Sequence, residues 1–475
     1  MVTSMKHFAD LPPLFNQIPQ PWLGIGGVVC FSPFEPTVKN EQLQATPSAR
    51  SNMAFRDHLA AATHESAPIS LVHGMLEHSR KSQHAMTLFT NIAECPGHRA
   101  AVNMLTRDRL CAAIGIEPEA YIDTLGWAMD HPSTPAVVPR NEAACLENIA
   151  EKVDLRTIPI PHHWPEDRGR YSSASIIIAE DNGIRNVSFH RQFLRDENHL
   201  VVRLVPRHLR TMVNQARSEG REVSVAIVNA PDPVVLLAAA MSFNENIDEL
   251  TIAAALHERL YGTPLRLVEL PNGVQAPADA EYVWWGRITL EDDDEGPYVD
   301  ITGTVDDVRQ EPVIAVDGLA HRNDPIFHAL IPGEAEHKTL MGLPRAPTIK
   351  AAVNKVVECT DVHMTEGGCG WLGAVLKIRK KHADDGMRAI QAAFDGHKSM
   401  KMVTVVDEDI DITDPVRVEW AMMTRWQPDK DTLILSNQKG SSLDPSRYAD
   451  GNTSKIGYDA TIDFGVDPSG FMSVQ

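Results

Sequence analysis

The clearest alternation of apolar and polar positions lies between residues 170 and 305. Ser175-Ile-Ile-Ile-Ala179 is a β-branched run closed by the turn signal Asp181-Asn-Gly183, and residues 186–193 and 199–205 continue as strands. The period then changes. Residues 207–220 carry Leu209, Met212, Val213 and Ala216 at helical spacing and stop at a Gly. Residues 223–228 predict a strand, and 248–261 a helix with Asp248 as its N-cap. Residues 281–290 and 298–305 return to strand. Upstream, 99–115 shows helical spacing ending at Gly115, and the Pro-rich stretch 132–139 predicts a linker. From about 310, strands and helices alternate, most clearly a strand at 402–406 and a helix at 415–424, which predicts a C-terminal α/β layer. The whole reads as a mixed α/β (α+β) chain: an N-terminal α/β domain (1–120), a central β-rich domain (121–310) and a C-terminal α/β domain (311–475).

Composition narrows the function. With 43% hydrophobic and 23% charged residues the chain buries a sizeable core, so global disorder is excluded. Lys and Arg number 44 against 64 Asp and Glu, a net charge of −20, which argues against nucleic acid or acidic lipid as partners. No apolar run reaches the roughly 18 residues of a membrane span, and the N-terminus shows no secretory pattern. Six scattered cysteines without a CxxC pair read as reduced thiols, so a cytoplasmic location is expected.

Several polar groups are candidates for chemistry. Asn186, Ser188 and His190 share strand parity and face one side, with Arg191 on the other, although a solvated strand edge shows the same pattern. His208 and Glu249 each open a helix; with Asn186 they are acceptable ligands for a cation such as Mn²⁺, while each taken singly is a cap or surface group. In the acidic run 291–295, Asp292 to Asp294 predict a solvated loop. Glu295 differs, because Gly296-Pro297 bends the chain and lets it share a site with Asp300. Asp407, Asp409 and Asp411 read as a structural strand end rather than a calcium loop. Gly24-Ile-Gly-Gly27 lacks the strand and helix of a dinucleotide fingerprint, and Gly367-Gly-Cys-Gly370 reads as a turn.

Taken together, ordered segments of the chain resemble the UbiD-type decarboxylases, which use prenylated FMN. They are Asn182-Gly-Ile-Arg-Asn-Val-Ser-Phe-His-Arg191, Gln275-Ala-Pro-Ala-Asp-Ala-Glu281, Glu295-Gly-Pro-Tyr-Val-Asp300, His321-Arg-Asn-Asp-Pro-Ile326, Glu336-His-Lys-Thr-Leu340, the stretch from Val405 to Arg425, and Leu443-Asp-Pro-Ser446. The resemblance implies a central split β-barrel that binds the flavin, and a catalytic Arg191, Glu295 and Asp300 network with Asp300 as proton donor. It implies cofactor contacts from Asn186, Ser188, Phe189, His190, Arg191, Arg207, His208, Met241, Glu249 and Lys455. Asn186, His208 and Glu249 would hold Mn²⁺, and Ala238, Ala239, Met241 and Glu249 a K⁺ (or Na⁺). Leu204, Arg207, His337 and Met341 would line the substrate side. The implied reaction is reversible decarboxylation of an aromatic, heteroaromatic or α,β-unsaturated acid by a homodimer or larger homo-oligomer, with a flavin prenyltransferase supplying the cofactor. Two departures stand out: Trp285 replaces a Glu before Gly286, and Trp371 replaces a Lys found in relatives acting on catechol acids. The competing readings are a non-catalytic flavin-binding homologue, against which the intact Arg191, Glu295 and Asp300 set argues, and a metal-dependent hydrolase, which lacks an HExxH-type motif. An absorbance spectrum separates the three.

Overall fold

The structure is a computed structural model and describes residues 53–241 and 247–474; Gly24 to Gly27 and Cys30 lie outside them. The described residues belong to one compact unit, 49–475. Its centre is an antiparallel sheet of nine strands among the described residues. The order is Tyr171–Ser172, Gln192–Leu194, His199–Val202, Arg309–His321, Tyr282–Glu295, Val223–Asn229, Ile176–Asp181, Ile184–Phe189, with Asn148–Ile149 paired separately to Arg309–His321. This path does not close on itself among the described residues, so the sheet is open.

The helix predicted at 207–220 forms as His208–Ser218 and buries Leu209, Val213 and Ala216, the apolar stripe read from the sequence. Helix Glu249–Tyr261 starts where Asp248 accepts a hydrogen bond from Leu250 N at 3.0 Å. Helix Pro233–Ala240 is buried on every side and packs against it, which explains an apolar run without periodicity.

The C-terminal α/β layer is a five-stranded sheet, ordered Glu358–Met364, Gly373–Arg379, Met402–Val406, Asn452–Ala460, Thr432–Lys439. Its middle strands are parallel, and helices Asp385–Gly396 and Pro415–Arg425 make the crossovers. Asp407 and Asp409 accept hydrogen bonds from the buried Arg425 at 2.8 and 2.6 Å, and Asp411 accepts from Thr413, so these acids are structural.

Three local expectations are corrected. Residues 99–115 are not one helix: Arg99–Val102 is a strand between Thr87–Phe89 and Ile326–His328, and the helix is Arg107–Ile114. The expected linker 132–139 contains strand Ala136–Val138, parallel to Arg266–Glu269. The acidic residues 291–294 are not a loop; they extend strand Tyr282–Glu295, with Asp292 to Glu295 opposite Pro312 to Arg309. Arg217 and Arg195 neutralise its exposed acids. Among the described residues no helix is long and apolar enough to cross a membrane, and the five described cysteines are unbridged.

One buried carboxylate joins distant parts of the chain. Glu336 opens helix Ala335–Gly342 and is 1% exposed. It accepts hydrogen bonds from the backbone N–H groups of Asn103, Met104 and Leu105, each at 3.0 Å, and from His328 Nε2 at 2.8 Å. Glu336→Gln turns an amide NH₂ toward those donors and removes the charge. The expected cost is about 3–5 kcal/mol, seen as a lower urea midpoint; an unchanged midpoint contradicts the role.

Candidate active site

The hairpin Ile176–Asp181 and Ile184–Phe189 turns at Asn182-Gly183 and delivers the first site residues. The Ser188 hydroxyl lies 3.0 Å from Asn186 Oδ1 and 2.9 Å from His190 Nε2, so these three side chains do share one face. Burial first, and then the charges of Arg210, Arg203 and Arg207, push His190 down to about 4 despite its bond to the Arg203 carbonyl. The ring is therefore neutral near pH 7. Its Nδ1–H donates to Arg203 O at 2.9 Å, so Nε2 accepts the single Ser188 proton. That leaves Asn186 Oδ1 available as a ligand. Phe189 is half-buried at the strand end.

The chain leaves the sheet at His190, and Arg191 turns into a set of carboxylates. Its Nε donates to Glu295 Oε1 at 2.9 Å, Nη2 to Glu295 Oε2 at 2.7 Å, Nη1 to Asp300 Oδ2 at 2.6 Å and Nη2 to Asp306 Oδ2 at 2.9 Å. The guanidinium lies 4.5 Å from the Tyr298 ring centre. Burial pulls Arg191 down, but Glu295, Asp300 and Asp306 outweigh it and hold it well above the ordinary range. Glu295 is fully buried, whereas the Asp300 side chain is 15% exposed. The turn between them requires Gly296: its φ is +94°, and a Cβ there would sit 2.8 Å from Asp307 O.

Sequence reading missed Asp306. It sits in the two-residue strand Val305–Asp306, opposite Tyr298, and pairs with Arg309 at 2.8 Å. Burial raises its pKa, but the Arg309 hydrogen bond and the Arg191 and Arg309 charges bring it below the ordinary range. Asp167 was missed too. It accepts from Val299 N at 2.7 Å, and burial pushes it up to about 7 beside Arg191.

A cavity of about 570 Å³ opens on this network, lined by Asp300, Asp306 and Arg309 on one side and by Leu443, Asp444 and Tyr448 on the other. That volume lies within the usual range of small-molecule pockets. The predicted cofactor-phosphate residues Asn186, His208 and Glu249 do not line it.

Glu249 is 3% exposed and accepts from Val187 N at 2.8 Å and Asn186 Nδ2 at 3.3 Å. Burial pushes its carboxyl up to about 7, and among the described residues no cation pairs with it. A buried carboxylate without a cation, next to an available amide oxygen, fits a divalent metal ion. His208 is the first residue of its helix, and the structure does not bring its ring into hydrogen-bond contact with Asn186 or Glu249. Among the described residues no three His, Cys, Asp or Glu side chains gather as a metal site; the predicted triad depends on Asn186 for its third member.

The remaining expected residues lie on separate segments. Ala238, Ala239 and Met241 are buried at the end of helix Pro233–Ala240, and Met241 N donates to Ala238 O at 3.1 Å. Leu204 is buried, while His337 and Met341 lie four residues apart on helix Ala335–Gly342 and therefore on one face. Burial keeps His337 below its ordinary pKa, and its Nδ1 accepts from Gly333 N at 3.1 Å, so the neutral ring carries its proton on Nε2. Arg207 precedes His208 with its guanidinium 5.9 Å from the Trp371 ring centre. Lys455 is buried; its Nζ donates to Lys398 O at 2.5 Å. Arg345, also within reach of Trp371, carried no sequence signal.

A buried arginine held by three carboxylates at the mouth of a cavity, on an α/β frame, marks a candidate active site. Comparison with known proteins places it in a family. Residues 136–335 match the 3-octaprenyl-4-hydroxybenzoate carboxy-lyase Rift-related domain and residues 338–460 the C-terminal domain of the same carboxy-lyase. The chain belongs to the UbiD family of decarboxylases. It is 39% identical to the anhydromevalonate phosphate decarboxylase of Methanosarcina mazei over 86% of this chain and 96% of that protein. It is 40% identical to the enzyme of that name from Methanocaldococcus jannaschii over 78% of this chain and 88% of that protein. The fold is similar to the UbiD-class enzyme HmfF from Pelotomaculum thermopropionicum in complex with FMN. The TM-score is 0.85 at 32% identity, covering 89% of this chain and 97% of that one. An evolved dimeric form of HmfF in complex with prFMN superposes with a TM-score of 0.80 at 30% identity, over 89% and 99% of the two chains.

Proposed function

We propose that this protein decarboxylates a phosphorylated α,β-unsaturated acid of the anhydromevalonate phosphate type, with prenylated FMN as cofactor. The observation that carries the reading is the contact of Arg191 with Glu295 and Asp300 at the mouth of a cavity. The substrate class follows the names of the relatives that match most of the chain. Burial of Trp371 in the Gly loop, where catechol-acid enzymes carry a Lys, turns the choice away from catechol carboxylates.

Loss of CO₂ from an sp² carbon leaves a carbanion without a resonance sink, and the prenylated flavin, when bound, supplies that sink. The chain's own residues do the rest. Glu295 fixes the plane of Arg191 through a bidentate pair. Arg191 orients the substrate carboxylate and holds Asp300 by one oxygen. Asp300, which reaches the cavity, donates the proton to the carbon that loses CO₂. Asn186, Glu249 and His208 would hold Mn²⁺ against the cofactor phosphate, and the carbonyls near Ala238, Ala239 and Met241 a monovalent cation. Within this reading residues 121–310 form the split-barrel flavin domain, preceded in sequence by an α/β domain at 1–120 and followed by one at 311–475. The enzyme works as a homo-oligomer in the cytoplasm, with a flavin prenyltransferase supplying its cofactor.

The test is protein coexpressed with a flavin prenyltransferase. It is expected to show flavin absorbance and to release CO₂ from anhydromevalonate phosphate faster than from aromatic or heteroaromatic acids. Flavin-loaded protein that turns over only an aromatic acid overturns the substrate class.

A further inference from the structure

Asp306 is the third carboxylate on Arg191 and has no step of its own in the reaction. The backbone sets its place. Strand Val305–Asp306 pairs with Tyr298–Val299, so Asp306 stands opposite Tyr298, and Thr304 O accepts from Asp300 N just ahead of it. One short hairpin thereby brings Tyr298, Asp300 and Asp306 to the same guanidinium. Asp306 also reaches a second one. Its Oδ2 accepts from Arg191 Nη2 at 2.9 Å, while its Oδ1 meets Arg309 Nη2 at 2.8 Å and accepts from Asp307 N at 3.0 Å.

The charges of this cluster do not balance. Linked by ion pairs stand two cations, Arg191 and Arg309, and three carboxylates, Glu295, Asp300 and Asp306. One negative charge is in excess, and a single proton taken up by one of the acids cancels it. The three acids differ in how firmly they are held. Glu295 is fully buried, and both its oxygens accept from Arg191, a fork that a proton would break. Asp306 spans two guanidiniums, and against the pull of burial the Arg309 hydrogen bond and the two cations keep its pKa below the ordinary range. Asp300 has one guanidinium contact and faces the cavity. Glu295 and Asp306 thus match the two arginines, and the exchangeable proton falls to Asp300.

Other titratable groups stand further off. Asp167 lies behind the hairpin on Val299 N, His337 is on helix Ala335–Gly342, and Asp307, Asp444, Arg447 and Asp450 line the cavity. Among the described residues none of them forms an ion pair with Asp300 or Asp306. Asp444 is engaged by Lys401 at 3.0 Å.

We propose that Asp306 is a positioning residue, the standing counter-ion shared by Arg191 and Arg309, and that its charge leaves Asp300 free to take up a proton and pass it to carbon. Asp300 gives that proton to the carbon that loses CO₂ and regains one from water at the cavity. The proposal rests on the decarboxylase reading and adds to it the residue that governs the proton donor.

The test compares Asp306→Asn and Arg309→Gln, with rates counted per bound flavin. Removing the neighbouring negative charge makes Asp300 surrender its proton more readily, so in Asp306→Asn the alkaline limb of kcat is expected about one pH unit lower than in the parent. The rate is then about tenfold lower above that limb and approaches the parent on the acid side. Arg309→Gln removes a positive charge and is expected to move the limb the other way. Asp306→Glu keeps the charge and the parent profile. A merely structural role lowers the whole profile without moving the limb. An unmoved limb in Asp306→Asn, or shifts of the same sign in the two variants, overturns the proposal; if Asp306→Asn does not fold, the direction of the Arg309→Gln shift decides. Should the parent decarboxylate no acid, the decarboxylase reading fails. Infrared difference spectra against pH then decide without turnover. The carboxyl C=O band that Asp300→Asn removes is expected to persist to higher pH in the parent than in Asp306→Asn. Equal persistence, or no such band, overturns the proposal.

Discussion

Asp300→Asn is expected to keep the flavin bound and to lower kcat for CO₂ release by about 10²–10⁴-fold, the range of a lost general acid. The substitution is nearly isosteric. The Asn carbonyl oxygen still accepts from Arg191 Nη1, which reaches Asp300 Oδ2 at 2.6 Å, so the contact with Arg191 is kept. The backbone bonds of the turn, Asp300 N to Thr304 O and Gly303 N to Asp300 O, do not involve the side chain, and the one bond lost is that from Ile301 N to Asp300 Oδ1 at 2.6 Å, where the Asn amide presents NH₂. What disappears is the group at the cavity mouth able to take up and pass on a proton. The measurement is the CO₂ release rate together with the absorbance of bound flavin. A full rate removes Asp300 from the proton-donor role, and loss of flavin absorbance would mark it as a binding residue instead.

Glu249→Gln is expected to lose Mn²⁺ and, with it, tight flavin retention, read as metal content per chain by elemental analysis. His208→Ala tests the third ligand in the same way, and unchanged metal content removes His208 from the set. The pH dependence has a definite sign. Burial pushes Glu249 up to about 7, so below that pH a metal must displace a proton. Metal affinity of the metal-free protein therefore falls about tenfold per pH unit on the acid side of that value and levels off above it. In the folded metal-free protein this carboxyl keeps its proton where the unfolded chain has lost it. Its contribution to stability consequently falls as pH rises from the ordinary carboxylate range toward 7. A metal affinity that is flat across this range contradicts the assignment.

The sequence made Arg191, Glu295 and Asp300 legible because each sits in a short motif whose neighbours are as informative as the residue itself. Asn186 and Glu249 were legible for the same reason, and the structure brings them together across 63 positions. Asp306 was not, because its strand is two residues long and its partner, Tyr298, lies across a turn. Arg345 was invisible because a buried arginine is recognised by what surrounds it, and Trp371 and Ala240 come from remote segments. The acidic residues 291–294 have poor strand propensity, and cross-strand pairing with 309–312 overrides it. Residues 99–115 show how short apolar runs mislead: spacing alone does not separate a buried strand from a helix turn.

The arginine at the centre of the site has little left to give. A guanidinium carries five N–H groups, and four hydrogen bonds to Glu295, Asp300 and Asp306 already draw on them. An incoming carboxylate therefore meets a donor with one proton to spare, not an open fork. A grip that loose suits a leaving group whose charge vanishes as CO₂ forms, since every bond to the departing carboxylate would deepen the well from which the reaction must climb.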